Sequence, residues 1–224
     1  MDAEVIVKRA IDIMIATGVK FERNNGGVIF KTRKSPDPPW RYFSYDPRMK
    51  CALWKWVIYK GVVENTPGLD FAPSRCHDCY KIVVAPRTLN ELKDLEQLMI
   101  DVCHVGFAGK CGIERRPIDR NYGGYFYCRG VDEAEERFAM IRNLVPRDIS
   151  MHIQHSGTYF LKGQGDPSGW VITDKQLEIE HHVENWVGTD QSNPGQTEAE
   201  IARVHQMWND EYNNELKKGG VNDH

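Results

Sequence analysis

The chain has 224 residues, with 29 Lys and Arg against 32 Asp and Glu, and 41% of its residues are hydrophobic. This composition is typical of a globular protein with one large domain or two small ones. No run of about 18 apolar residues occurs, and charged residues interrupt the N-terminal stretch, so the sequence predicts neither a membrane span nor a secretory signal. We expect a cytoplasmic protein with no membrane partner.

Charge is distributed unevenly along the chain. Residues 1–75 carry 13 basic and 8 acidic side chains, residues 76–165 carry 12 of each, and residues 166–224 carry 4 basic and 12 acidic. The net charges of the three segments are therefore +5, 0 and −8. This asymmetry indicates either a partner for each end, including a protein that docks on the acidic C-terminal segment, or two ends that face each other in the fold.

The N-terminal segment predicts a helix followed by a hairpin. Residues 3–17 place apolar side chains on one helical stripe, and Gly18 follows where a left-handed cap would lie. Two alternating runs flank an Asn-Gly dipeptide at 25–26, which favours a tight hairpin turn because both turn positions need positive φ. After a proline-rich break we expect a third strand at 41–45 and a helix or strand at 51–60.

A regular order of elements begins near residue 80. The apolar periodicity predicts a strand, a helix, two strands, a second helix and a last strand. They are expected at 80–85, 88–103, 110–116, 122–128, 132–145 and 150–155. This β-α-β-β-α-β order is that of the ferredoxin-like fold, a four-stranded antiparallel sheet with both helices on one face.

We therefore predict an α+β protein with three parts. The ferredoxin-like core occupies 76–163, an N-terminal helix and hairpin segment occupies 1–70, and an acidic helical segment occupies 170–220. In the last segment, Thr173 and Gln176 form a capping box before a helix at 176–187, and a second helix is expected at about 198–217.

Four of the six cysteines favour a metal site. Cys76 and Cys79 have the C-x2-C spacing with which one tight turn offers two thiolates to an ion. In the predicted fold, Cys103 and Cys111 lie at the same end of the sheet. Zinc suits tetrahedral sulfur best, and an iron-sulfur cluster is the second possibility. The last two cysteines could instead be small core residues, and a mixed Cys/His ligand set with two neighbouring histidines stays open.

The predicted sheet leaves one face without helices. If the six apolar strand residues Ile82, Val84, Ile113, Phe126, Met151 and Ile153 face the helices, the other face carries tyrosines, cations and a histidine. Its residues are Lys81, Val83, Glu114, Arg116, Tyr125, Tyr127, His152 and Gln154. Such side chains suit the stacking of unpaired bases. In the alternative interpretation, the N-terminal hairpin or the C-terminal helices cover this face.

Residues 120–127, Arg-Asn-Tyr-Gly-Gly-Tyr-Phe-Tyr, are similar to the aromatic signature that the RNA-recognition motif carries on its third strand. That family has the predicted fold, so the resemblance implies base stacking on the helix-free face. It covers about 80 residues of the chain. The first strand, at 81–85, lacks the aromatic residue that the family places there, and we do not assign the chain to it.

Basic and aromatic residues also alternate from Lys31 to Trp56. Positive charge that follows phosphates and rings that stack bases are typical of a single-strand groove. A hairpin with a buried aromatic face and a solvated basic face would have the same composition, and the pI of about 6.2 counts against a nucleic-acid partner. The candidate nucleic-acid-binding residues are Trp40, Arg41, Arg116, Tyr125 and Tyr127.

His152 and His155 are the candidates for acid-base chemistry. Their spacing on a strand directs the two rings to opposite faces, unlike the helical pair of a zinc hydrolase. No nucleophile elbow, phosphate-binding loop or dinucleotide motif is present. The sequence thus supports two hypotheses. One is a zinc-stapled protein that binds nucleic acid or belongs to a nucleoprotein assembly. The other is an enzyme with a pocket between the open sheet face and the C-terminal helices.

Overall fold

The computed structural model describes residues 2–19, 21–24, 27–30, 40–43, 54–103, 106–114, 122–155, 169–189 and 196–219. These residues divide between two compact units, each assembled from segments that are far apart in sequence. The first unit holds the described residues of 1–34, 47–79 and 155–193. The second unit holds those of 35–46, 80–154 and 194–224.

Helices and strands occur in both units. The helices are α1 (Ala3–Ala16), α2 (Trp54–Val63, with π-helical hydrogen bonding), α3 (Ser74–His77), α4 (Leu89–Cys103), α5 (Gly130–Arg142), α6 (Asp174–Trp186) and α7 (Glu198–Gly219). The strands are β1 (Phe21–Asn24), β2 (Gly27–Phe30), β3 (Trp40–Phe43), β4 (Cys79–Ala85), β5 (Ala108–Ile113), β6 (Tyr122–Arg129), β7 (Ser150–His155) and β8 (Val187–Thr189).

The first helix begins and ends as its sequence predicts. Asp2 caps α1 by accepting a hydrogen bond from the backbone N–H of Glu4 at 2.8 Å. Gly18 has a φ of +88°. The N–H of Gly18 donates to the Ile15 carbonyl at 3.0 Å, and the N–H of the next residue, Val19, donates to the Met14 carbonyl at 2.9 Å. This pair of bonds is a Schellman motif, which satisfies carbonyls at the helix end.

A three-stranded sheet and four helices, α1, α2, α3 and α6, make up the described part of the first unit. β1 pairs with β2 antiparallel, with Asn24 opposite Gly27. The predicted Asn-Gly turn at 25–26 lies outside the described residues. β2 pairs in parallel with β8, a strand that the sequence analysis missed. Side chains of α1, α2, α6 and this sheet share one core. Its fully buried members include Ile11, Ile58, Ile179 and Val183.

Only one of the two hydrogen bonds of the predicted capping box forms at the start of α6. The side chain of Thr173 accepts from the N–H of Gln176 at 3.1 Å, as predicted. The Gln176 amide does not return to the cap, because it is buried and donates to the Ala72 carbonyl at 2.7 Å and to Glu180 at 2.9 Å. These bonds tie α6 to the chain that precedes α3.

A five-stranded antiparallel sheet in the order β3-β5-β6-β4-β7 organises the second unit. The α+β class is confirmed, but the sheet differs from the four-stranded one that the sequence predicted. The additional strand is β3, which pairs with β5 so that Trp40 lies opposite Gly112. The pattern of apolar residues predicts a strand there without specifying its partner, which is why this pairing was missed.

Helices α4, α5 and α7 share a core with one face of this sheet. The buried strand residues Ile82, Val84 and Phe126 pack with Leu92 and with Trp208. Ile113, Met151 and Ile153 pack against the same core, so all six strand residues predicted to face the helices do so. Because strand side chains alternate, Lys81, Lys110, Tyr125 and His152 lie on the opposite face.

No helix within the described ranges is long and apolar enough to cross a membrane.

Candidate functional site

Two lysines and two aromatic rings meet on the helix-free face of the five-stranded sheet. The ring centroids of Trp40 and Tyr125 are 5.6 Å apart. The Lys110 ammonium lies 4.0 Å from the Trp40 centroid and 5.3 Å from that of Tyr125, and the Lys81 ammonium lies 4.8 Å from Tyr125. We name Trp40, Lys81, Lys110, Glu114 and Tyr125 the cation-aromatic cluster. Its cations are held over ring faces, where the negative quadrupole attracts them.

Strand register brings these side chains together. Lys110 of β5 lies between Tyr42 of β3 and Tyr125 of β6 as a direct cross-strand neighbour of both. Trp40 lies two residues before Tyr42, and two residues along a strand return to the same face. Directly opposite neighbours have Cβ atoms about 4.5–5.5 Å apart, which is within reach for a ring and a lysine.

Glu114 adds a carboxylate to the cluster. It accepts a hydrogen bond from the Tyr125 hydroxyl. Its side chain also lies over Gly123 of β6, because a Cβ atom added to that glycine would be 2.6 Å from Glu114 Oε1 and 3.4 Å from its Cγ and Cδ. The helix-free face therefore holds an anion beside its two cations.

Burial varies across this face. Tyr125 is 7% exposed, because neighbours in the cluster surround its ring, and Val83 is fully buried. Trp40, Lys81, Lys110 and Tyr127 are half-buried, and His152 is exposed. Burial also raises the pKa of the Tyr42 hydroxyl above its ordinary value. Lys81, Lys110 and Trp40 are thus partly accessible on this face, whereas Tyr125 is nearly buried.

The structure brings two of the five predicted nucleic-acid-binding residues, Trp40 and Tyr125, into one cluster. Tyr127 shares their face. Arg116 lies outside the described residues. Arg41 does not join the cluster: it lies opposite the buried Cys111, and its guanidinium points to the helix-covered side. Lys110 was missed, although its alternation with Gly112 and Glu114 along β5 could have placed it on this face.

Arg41 belongs instead to a polar network under α7. Its Nε lies 3.3 Å from Glu96 Oε1, and its Nη1 donates to the Gln196 side chain at 3.2 Å. The Nε2 atom of His205 lies 2.8 Å from both oxygens of Glu96, which is only 8% exposed. A buried carboxylate needs such partners, so this network anchors α7 on α4 and β3.

The predicted metal ligands occur as one pair in each compact unit. Burial, and after it the neighbouring Cys79 and Glu180, raise the pKa of the Cys76 thiol to about 12. Burial likewise raises the pKa of Cys103 to about 11, although Arg137 acts in the opposite direction. The Cys111 thiol is held well above its ordinary pKa by burial first and then by Glu96. In these surroundings the neutral thiol is favoured over the thiolate that zinc binds.

No three His, Cys, Asp or Glu side chains come together as a possible metal site in the part of the chain that the structure describes. The zinc centre on Cys76, Cys79, Cys103 and Cys111, and its iron-sulfur alternative, remain predictions from the sequence. His104, considered for a mixed ligand set, lies outside the described residues.

The two candidate acid-base histidines have different surroundings. His152 is exposed on the helix-free face. His155 lies in the first unit, where its Nε2 donates to the carbonyl of His77 at 2.9 Å. Its ring also contacts Trp170 edge-on at 5.7 Å between centroids, and the ring of His77 contacts the same indole at 5.1 Å. His155 thus contacts His77 and Trp170 within the first unit, and the enzyme hypothesis remains a prediction.

Comparison of the chain with protein-family models, with curated proteins and with solved structures finds no match.

Proposed function

We propose that the protein binds single-stranded nucleic acid through the cation-aromatic cluster. The observation that carries this proposal is the juxtaposition of Lys81 and Lys110 with the rings of Trp40 and Tyr125 on the sheet face opposite α4, α5 and α7. A nucleic acid strand needs both kinds of group, since cations neutralise phosphates and ring faces stack bases. Lysine in particular acts on a phosphate as a flexible point charge.

The strand order and the side on which the helices pack also support this proposal. Without β3, the remaining strands have the order β5-β6-β4-β7, and helices α4 and α5 pack on one face. We infer that the second unit is a ferredoxin-like core with one additional edge strand. Folds of this kind stack unpaired bases on the sheet face opposite the helices in RNA-binding modules. This is an analogy of architecture, and the function rests on the side chains of the cluster.

Trp40 is the ring that we expect a base to contact first. It is half-buried at the edge strand, whereas Tyr125 is covered by its neighbours. Tyr127, half-buried on the same face, would extend the path across the sheet. Each stacked base is worth about 1–3 kcal/mol, and Lys110 over Trp40 would place positive charge beside the first stacked base.

The test is a titration of a labelled single-stranded oligonucleotide of about 12 nucleotides, within the usual site size of such proteins. We expect binding that weakens as salt rises from about 50 to 200 mM, because phosphate neutralisation releases counterions. Lys110→Ala should weaken binding and lower the slope of log K against log salt by about 0.7. Trp40→Ala should weaken binding without changing that slope.

Lys93→Ala is the matched control. Lys93 is an exposed lysine on α4, which packs on the opposite face of the sheet, so its removal should change the affinity less than Lys110→Ala does. Absence of binding at about 50 mM salt, or binding that does not respond to salt, would contradict the proposal.

Two other parts of the hypothesis depend on the sequence alone. One is a zinc ion on the four cysteines, and the other is a protein partner on the acidic segment 170–220, as in a nucleoprotein assembly. Neither is required for binding at the cation-aromatic cluster. Metal analysis of the purified protein, with an absorbance spectrum, separates zinc from an iron-sulfur cluster and from a metal-free protein.

A further inference from the structure

Glu114 contacts two residues of β6 on the proposed binding face, Tyr125 and Gly123. Its carboxylate accepts a hydrogen bond from the hydroxyl of Tyr125. The ring of the same tyrosine carries both lysine contacts, with Lys81 at 4.8 Å and Lys110 at 5.3 Å from its centroid. One tyrosine therefore joins an anion and two cations in a single cluster.

The backbone of β6 makes room for this carboxylate. Gly123 has no side chain, and the space that a Cβ atom would need is filled by the end of Glu114, with Oε1 at 2.6 Å from that position. Across the ladder, Gly112 lies opposite Gly123, and Trp40 lies opposite Gly112 on the next strand. The two glycines thus contribute no side chains beside Trp40, and Glu114 covers Gly123.

We propose that Glu114 is an internal competitor of the nucleic acid, an anion that the phosphate backbone displaces when it binds. This inference rests on the proposed function. The Glu114 carboxylate and both ammonium groups contact the same tyrosine. The carboxylate therefore reduces the positive potential that a phosphate experiences there, and a strand that binds must also overcome the repulsion between like charges. The unliganded protein keeps its cations partly neutralised until a strand replaces Glu114.

This arrangement makes a specific prediction about salt dependence. If Glu114 neutralises one cation in the free protein, binding of a strand releases one counterion fewer than the lysines would otherwise allow. Glu114→Gln should therefore steepen the slope of log K against log salt by about 0.7. It should also tighten binding about fivefold at low salt. Glutamine is chosen because its carbonyl oxygen can still accept from the Tyr125 hydroxyl.

A second variant leaves Glu114 intact and moves it. Gly123→Ala introduces a Cβ atom where the carboxylate lies, and the group that must shift is the end of a flexible side chain. We expect tighter binding than in the original protein, with a smaller gain than for Glu114→Gln, because the charge is displaced and not removed. Glu135→Gln, at an exposed position on α5, is the control for a change of net charge by one unit.

The experiment is the same oligonucleotide titration at several salt concentrations, with folding of each variant checked by circular dichroism. The inference is supported if both variants bind more tightly and with a steeper salt dependence while the control does not change comparably. It is also supported if Glu114→Gln binds well and the original protein binds weakly. If the original protein binds but Glu114→Gln leaves affinity and slope unchanged, Glu114 is not a competitor and the proposed function stands. If neither protein binds at low salt, the proposed function itself fails.

Discussion

The two faces of the five-stranded sheet differ in the kind of contact that their side chains make. On the helix-covered face, Ile82 and Phe126 pack with Leu92 in an apolar core. On the other face, Lys110 and Tyr125 interact through charge, rings and a hydrogen-bonded carboxylate. Substitutions on the first face should therefore change the free energy of unfolding, and substitutions on the second should change binding.

Two adjacent glycines of β6 show this difference within one strand. A Cβ atom at Gly124 would lie 2.3 Å from Leu95 Cδ2 in the core, whereas one at Gly123 would lie 2.6 Å from the carboxylate of Glu114. A packed leucine in a dense core has nowhere to move, but a glutamate at the surface can rotate away. The two faces thus respond differently to the addition of the same methyl group.

The largest expected effect is the loss of a core side chain. Leu92 is fully buried, and Leu92→Ala should lower the free energy of unfolding by about 2–5 kcal/mol through lost burial and the resulting cavity. Lys81→Ala, on the helix-free face, removes a cation-π contact and should cost about 0.5–1 kcal/mol. Urea unfolding followed by circular dichroism measures both, and equal losses would contradict the contrast between the faces.

Alanine substitutions at Gly123 and Gly124 should give smaller losses of stability, but they compare the two faces at adjacent positions of one strand. Gly124→Ala should destabilise the protein by about 1–3 kcal/mol through overpacking against Leu95. Gly123→Ala should cost less than Gly124→Ala, because only the end of Glu114 has to shift. The two midpoints of thermal unfolding provide the comparison, and a lower midpoint for Gly123→Ala would show that the helix-free face is packed as rigidly as the core.

These faces could be predicted from the sequence because alternation along a strand is a local signal. The order of elements from β4 to β7, the cap at Gly18 and the six strand residues that face the helices follow from periodicity and turn chemistry. The pairing of β3 with β5 and of β2 with β8 does not, since each partner lies far away in sequence. The same reason hid the contact between Trp40 and Lys110, which needs that register.

Arg41 shows a second limit of the sequence. The alternation of basic and aromatic residues predicted that Arg41 acts together with Trp40. Adjacent strand residues point to opposite faces, however, and Arg41 pairs with Glu96. The four-cysteine site also depends on topology, because its members come from both compact units, and it stays a prediction.

The thiols give the smallest expected effect. The pKa of Cys103 is raised by burial from 9.0 to about 11, so the neutral thiol is favoured in the folded state. Its contribution to stability is fully present below pH 9.0 and is lost as pH rises through about 11. We therefore expect slow alkylation of Cys103 near neutral pH, fast alkylation in denaturant, and modest alkaline destabilisation.

The same alkylation experiment tests the predicted metal site. A zinc ion would keep the four cysteines as thiolates near neutral pH, and a chelator would then change both their reactivity and the stability of the protein. Cys103→Ser, measured without a chelator, is the control that identifies which part of the alkylation signal comes from Cys103. Rapid alkylation of Cys103 in the folded, metal-free protein at neutral pH would contradict the effect of burial.

Photo-crosslinking tests the central claim most directly, because it reports which face of the sheet a strand touches. An oligonucleotide that carries a photoreactive pyrimidine is irradiated with the protein at low salt, and the linked peptides are identified by mass spectrometry. We predict crosslinks to Trp40 and to the peptides of β5 and β6 that carry Lys110 and Tyr127, with a loss of signal at high salt. Crosslinks confined to α4 and α5, or none in the presence of demonstrated binding, would contradict binding at the cation-aromatic cluster.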